Sequence, residues 1–294
     1  MTRAGPVFGD YNQAALDREY NNREKVPDSA EIAERWMRRG AEARSAMSCR
    51  LDIAYGPHER QKIDLFPCAQ PGGPALAFVH GGYWHSRDKT LAHFAAPFFV
   101  ASGINFVSIG YRLCPEVGIG DIVEDVGAAL GWVHENAEDL GVDARRLFIA
   151  GHSAGGHLAA IMCGPNGTPP GLIKGGCSIS GLHDLEPVRL TYLNETLGLD
   201  QDTARELSPV ERARDLKPGA QLNLPPLLLT VGGEEGPEYL RQRDDLEAAL
   251  RAMRQPVRVV ESPGTNHFTA CEAICDPSHP LSDAMLRLIL APGF

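Results

Sequence analysis

Six short apolar runs, at residues 75–79, 104–109, 147–150, 172–179, 227–231 and 257–260, constrain the fold of this chain more than any other feature. Runs that do not alternate with polar residues suit strands buried on both faces, the condition of a central parallel sheet. Between them lie stretches of helical character, at 90–102, 120–140, 155–163 and 238–254, and another closes the chain at 281–290. Strand alternating with helix predicts an α/β fold, a mostly parallel central sheet with helices on both faces. Residues 51–55 and 61–66 instead alternate apolar and polar about Gly56-Pro57-His58. They predict an antiparallel hairpin at the start of the sheet.

Two segments stand outside this rhythm. The first 48 residues are rich in charge, Asn and Ala and lack strand alternation. Helices are expected at 14–23 and 29–44, the second opening at Ser29 after Pro27 and Asp28. The expected organisation is an N-terminal helical arm, 1–48, on an α/β domain, 49–294. Residues 181–224 hold no strand run, only short helix-like pieces such as 188–197 and 208–216. An insertion there can cover the sheet edge at which open α/β sheets bind ligands. A small helical cap is the reading; a pair of surface connections is the bland alternative.

Composition narrows the partners. With 43% hydrophobic and 22% charged residues, the chain can bury a sizeable core and is too apolar for overall disorder. Asp plus Glu outnumber Lys plus Arg, 38 to 28, and no basic cluster stands out. Neither nucleic acid nor anionic membrane is an expected partner. No apolar run approaches the roughly 18 residues of a spanning helix, and residues 1–11 carry no apolar signal segment. The seven cysteines are odd in number, irregularly spaced and without a CxxC, which fits reduced thiols in a cytoplasm. His267, Cys271 and Cys275 stand four apart and could suggest a metal, as could His80, His85 and Asp88, but neither set has a trusted ligand pattern. No nucleotide-binding glycine motif is present. No metal or other cofactor is expected.

The chemistry concentrates at Gly151-His152-Ser153-Ala154-Gly155, between the run 147–150 and a helical stretch. A Ser at such a strand-to-helix bend sits on a turn so tight that only Gly fits two residues to either side. Its hydroxyl is then exposed as a nucleophile. His80-Gly81-Gly82-Tyr83-Trp84 follows the run 75–79. The backbone N–H groups of Gly81 and Gly82, with that of Ala154, can receive a developing oxyanion. A nucleophilic Ser needs a base, and the base an orienting carboxylate. His267, in the loop after the run 257–260, is preferred over His279, which lies between Pro277 and Pro280 in a surface-like turn. The carboxylate should follow the run 227–231, where Glu234 or Glu235 could serve. Tyr83, Trp84 and the cap would shape an apolar pocket for a small-molecule substrate.

These motifs resemble the α/β-hydrolase superfamily over roughly residues 50–294. Within it, HGGYW at 80–84, Tyr111-Arg112-Leu113-Cys114-Pro115-Glu116 and GHSAGGHL at 151–158 look like the arylformamidase (kynurenine formamidase) branch and its esterase relatives. Tyr20-Asn21-Asn22-Arg23 and Val26-Pro27-Asp28 are similar to the same branch. The loop 235–242 is similar to that branch's acid loop, in which Asp precedes a Pro-Glu-aromatic run. Residue-by-residue matching puts the acid on Glu235, a Glu where the branch carries Asp. The resemblance implies an α/β-hydrolase fold and a cofactor-free serine hydrolase with Ser153, His267 and Glu235 as its catalytic set. It implies hydrolysis of an aryl formamide, N-formylkynurenine to kynurenine and formate first. A carboxylesterase for short-chain aryl or alkyl esters is the close rival. A catalytically silent scaffold used for binding is the rival from another class, and the complete Ser–Glu–His set speaks against it. A small homodimer is the assembly the family suggests.

Overall fold

The structure of the protein, a computed structural model, describes residues 5–216 and 222–291. Eight strands form one sheet: β1 (Arg50–Ala54), β2 (Lys62–Phe66), β3 (Gly73–Val79), β4 (Asn105–Ile109), β5 (Val142–His152), β6 (Gly176–Ile179), β7 (Leu227–Thr230) and β8 (Val257–Val259). Their order is β1-β2-β4-β3-β5-β6-β7-β8. β1 and β2 pair antiparallel, β2 meets β4 antiparallel, and the remaining pairs are parallel. This is the mostly parallel sheet that the apolar runs predict, with the antiparallel start that the alternating residues 51–55 and 61–66 predict.

The period-2 geometry of a strand sends successive side chains into two different cores. Ala75, Ala77 and Val79 of β3 join Ile149 and Leu229 on one face. Leu76 and Phe78 join Phe148, Ala150 and Cys177 on the other. Helices α1 (Gln13–Tyr20), α2 (Asn22–Lys25) and α3 (Ser29–Ala46) precede the sheet. A 3₁₀ turn at Lys89–Ala95 leads into α4 (Ala96–Ala101), where one continuous helix is expected. Next come α5 (Ile119–Glu135), α6 (Ala137–Leu140) and α7 (Ala154–Cys163). The first core is covered by α5, through Ile122, Val126 and Leu130, and by α7.

The run at 172–179 forms a strand only over its last four residues. Gly171 takes a left-handed φ of +81° and the Leu172 N–H closes a turn onto the Pro169 carbonyl, so the chain enters the sheet late. Beyond β6, the segment expected as a cap holds α8 (Glu186–Arg189), α9 (Asn194–Leu197), α10 (Gln201–Glu206) and α11 (Pro209–Arg214). Residues 217–221 of that expected segment lie outside the described residues. The C-terminal part adds α12 (Pro237–Ala252), α13 (Thr269–Glu272) and α14 (Pro280–Leu290).

The arm does not hang from the domain. Ile32 and Trp36 of α3 are buried in the second core, and Trp36 stacks on Phe94 at 5.1 Å and 19°. Among the described residues no helix is long and apolar enough to cross a membrane.

Candidate active site

Ser153 occupies the single residue between β5 and α7. Its φ of +57° and ψ of −120° lie in a region that non-glycine residues enter only under strain. The neighbours explain why the bend can form. A Cβ on Gly151 would stand 2.1 Å from the Gly155 carbonyl oxygen, and one on Gly155 would stand 2.0 Å from that of Val79. Both positions therefore exclude any side chain. Ser153 lies at the start of α7, whose first-turn N–H groups, that of Ala154 included, lack carbonyl partners within the helix.

The loop after β3 folds back over this bend. Gly82, Tyr83 and Trp84 take successive φ values of +114°, +48° and +57°. A Cβ on Gly81 would meet Ser153 Cβ at 3.0 Å, so Gly81 passes directly against the bend. The His80 ring stacks on Tyr111 at 4.2 Å and 9°, and Tyr111 Oη donates to the His80 carbonyl at 2.8 Å. Burial pushes the His80 imidazole down to about 4, so the ring is neutral at pH 7. His80 Nδ1 donates to the Gly81 carbonyl at 2.7 Å. That bond orients the Gly81–Gly82 peptide.

His267 and Glu235 meet at the ends of two other strands. His267 Nδ1 donates to Glu235 Oε2 at 2.6 Å. The other oxygen, Oε1, accepts from Ser180 Oγ at 2.5 Å and from the Gly232 N–H at 2.7 Å. The carboxylate is thus buried, fully bonded and fixed in direction. With the proton on Nδ1, His267 presents a bare Nε2. Of the two adjacent glutamates only Glu235 makes this contact, and Glu234 is exposed. His152 Nε2 donates to the His267 carbonyl at 2.7 Å and so tethers the histidine loop to the serine bend. Burial first, and the His267 charge second, pull the His152 ring down to about 3. His279, the sequence alternative, accepts the Leu281 N–H on Nδ1 and caps α14.

Ser153, His267, Gly81, Gly82 and Tyr83 line one cavity of about 280 Å³. Tyr192 and Leu193, from the expected cap, close part of it. Trp84 corrects an expectation: it is fully buried and does not line the cavity. Its left-handed backbone turns the indole inward, where it packs edge-on against His157 at 5.1 Å. His157 and His183 are likewise buried, their rings pushed down to about 4 and about 3. Cys271 and Cys275 are buried under α3, and burial raises both thiols.

Sequence reasoning missed the arm's share of this wall. Tyr20, Asn22, Arg23 and Trp36 all face the cavity. Asn22 Nδ2 donates to Tyr239 Oη at 2.7 Å and to Tyr83 Oη at 3.2 Å, and Tyr83 Oη donates to the Tyr20 carbonyl at 2.6 Å. Tyr239 lies on α12, just beyond Glu235, and its ring is 5.0 Å from that of His267. One asparagine thus joins arm, glycine loop and acid loop. The only advance signal was the likeness of Tyr20-Asn21-Asn22-Arg23 to a known branch, which named no role.

Residues 76–270, well over half of the chain, match the family described as alpha/beta hydrolase fold, and the chain belongs to that family. It is a hydrolase of the branch that holds formamidases and esterases. The kynurenine formamidase of Danio rerio is 29% identical over 84% of this chain and 84% of its own length. That of Salmo salar is 27% identical over 95% and 97%. A proposed thioesterase from Silicibacter sp. TM1040, known from its crystal structure, is 30% identical over 94% and 99%, with a TM-score of 0.80.

Proposed function

We propose that the protein is a serine hydrolase that cleaves small aryl formamides, N-formylkynurenine to kynurenine and formate first among them. The observation that carries this reading is the Glu235–His267 hydrogen bond of 2.6 Å beside Ser153 on one cavity. Similarity to two kynurenine formamidases over 84% and 95% of this chain supports the substrate.

In this reading Ser153 Oγ attacks the formyl carbon while His267 Nε2 takes its proton. Glu235 holds the ring through Nδ1 and stabilises the imidazolium that forms. The carbonyl oxygen becomes an anion received by the N–H groups of Gly81, Gly82 and Ala154, each such donor worth about 3 kcal/mol of barrier. The C–N bond then breaks, His267 returns the proton to the departing arylamine, and Ser153 carries a formyl ester. Water, deprotonated by His267, attacks that ester and releases formate and the free serine.

Fluorophosphonate labelling tests the nucleophile: the native protein should label and Ser153→Ala should not. Equal labelling of the two, or none of either, favours a silent scaffold. Saturation kinetics test the substrate. A kcat/KM for N-formylkynurenine orders of magnitude below that for a short 4-nitrophenyl ester favours the carboxylesterase reading, which similarity to the esterase LipC supports.

A further inference from the structure

The charge on the cavity wall is opposite to that of the chain. The protein has a formal net charge of −10. Yet among the described residues no Asp or Glu lines the cavity, whereas Arg23 and Arg87 do. Several arginines elsewhere are paired, Arg35 with Glu272, Arg112 with Asp125, Arg241 with Glu238 and Asp184, but none of these lines the cavity. Arg23 and Arg87 have no ion-pair partner among the described residues. The carboxylates next to them in sequence are engaged: Glu24 accepts from Asn21 Nδ2 at 3.0 Å, and Asp88 accepts the Thr90 N–H at 3.0 Å. Glu34 shares a neighbouring groove with Arg87 but is not within ion-pair distance of it.

The two guanidiniums come from different parts of the chain. Arg23 lies on α2 in the arm, and Arg87 follows the glycine loop. Arg87 has a left-handed φ of +78°, and its carbonyl accepts from Arg60 Nη2 at 2.5 Å. Burial and the Arg23 charge both pull the Arg87 guanidinium below its ordinary range, and His85 is lowered by the same two causes. Both side chains are exposed and border the same cavity, so an anion bound there would meet two guanidiniums without carboxylate partners. Guanidinium with carboxylate is among the strongest charge-assisted pairs, because the planar fork matches both oxygens. The other walls, Trp36, Phe268, Tyr192 and Leu193, suit an uncharged aromatic body.

We infer that Arg23 and Arg87 form an anion subsite that selects substrates carrying a carboxylate at a distance from the bond to be cleaved. The inference rests on the reading of Ser153 as the nucleophile for molecules bound in this cavity. N-formylkynurenine carries such a carboxylate on its amino-acid tail.

Two matched pairs test it: 3-formamidobenzoate against formanilide, and 3-acetoxybenzoate against phenyl acetate, each corrected for its alkaline hydrolysis rate. The readout is the ratio of kcat/KM within a pair. The wild type should favour the carboxylate member by about 10- to 100-fold, the range for hydrogen bonds to charged groups. Arg23→Gln with Arg87→Gln should bring the ratio to about one, and the double lysine variant should keep part of the preference. A wild-type ratio of one, or an unchanged ratio in the glutamine variant, overturns the subsite. Calorimetric titration of Ser153→Ala with 3-formamidobenzoate and formanilide separates this from the hydrolase reading. If the wild type cleaves none of the four compounds, that reading fails. Tighter binding of the carboxylate, lost in the glutamine variant, still sustains the subsite, and equal binding overturns it.

Discussion

The two sides of the cavity are built on different principles. On the side of Ser153, position is set by backbone sterics. Gly151 and Gly155 stand where a Cβ would come within 2.1 Å and 2.0 Å of carbonyl oxygens, so little else can occupy that bend. On the arm side, position is set by side-chain hydrogen bonds that span most of the chain. Tyr20 Oη donates to Glu238 Oε2 at 3.1 Å and accepts from Gln242 Nε2 at 2.8 Å, and Asn22 bonds Tyr239. A net hydrogen bond contributes only about 1 kcal/mol. The serine side is therefore a rigid frame with one solution. The arm side is an assembly of separate small bonds that can be altered one at a time.

The sharpest test of this division removes the reacting groups. Ser153→Ala or His267→Ala should lower kcat by roughly 10⁴- to 10⁶-fold while thermal unfolding shifts little. If any arm substitution costs as much in kcat, the division fails. Glu235→Ala should cost less, about 10²- to 10⁴-fold, because it disturbs the histidine rather than the bond-making atoms. Glu234→Ala should change kcat less than threefold, on the order of 0.5 kcal/mol. A larger loss for Glu234→Ala than for Glu235→Ala would reverse the assignment of the acid. Gly155→Ala comes next. Its methyl group would collide with the Val79 backbone, and the variant should lose about 3 kcal/mol or more of stability, read by urea unfolding.

What the sequence makes legible follows the same division. The strands are readable because burial on both faces leaves a local mark, an apolar run. The serine bend is readable because its glycines answer a steric demand within five residues. The choice between Glu234 and Glu235 is not readable from the residues alone. The two share a turn, and what separates them is Ser180 Oγ and the Gly232 N–H, which only the folded chain brings to Glu235. The arm is less readable still. Tyr20 and Glu238 are 218 positions apart, and the helices that hold the arm's cavity residues look like ordinary charged surface helices. Trp84 misleads for a related reason: an aromatic beside a glycine loop suggests a pocket wall, but the left-handed φ at Tyr83 and Trp84 aims the indole into the core.

Acid titration probes the buried histidines behind the site. His152 lies at the serine bend, His157 on α7 and His183 just after β6, and burial holds them near 3, 4 and 3 against an ordinary value of 6.5. Below pH 6.5 the unfolded chain protonates these rings and the folded chain does not. Their contribution is complete above pH 6.5 and declines as pH falls toward 4, by roughly 1.4 kcal/mol per pH unit for each ring. Urea unfolding at pH 7 and pH 5 should show a marked loss at the lower pH. His183→Asn should flatten that slope, whereas Asn22→Ala should leave it unchanged. A stability that does not change between pH 7 and pH 5 would contradict the buried neutral state of these rings.

The smallest expected effect lies in the arm. Asn22→Ala removes two donated hydrogen bonds, to Tyr239 and Tyr83, but leaves the Tyr83 bond to the Tyr20 carbonyl intact. The arm should stay docked, because Trp36 and Ile32 remain in the core, and unfolding should shift by about 1 kcal/mol. What loosens is the wall that positions a substrate. KM should therefore rise by about 3- to 10-fold while kcat holds within about twofold, the pattern of lost uniform binding. A fall in kcat with KM unchanged would mean that Asn22 acts on the Glu235–His267 pair through Tyr239. The arm would then belong to the reacting frame, and the two sides of the cavity would be one mechanical unit.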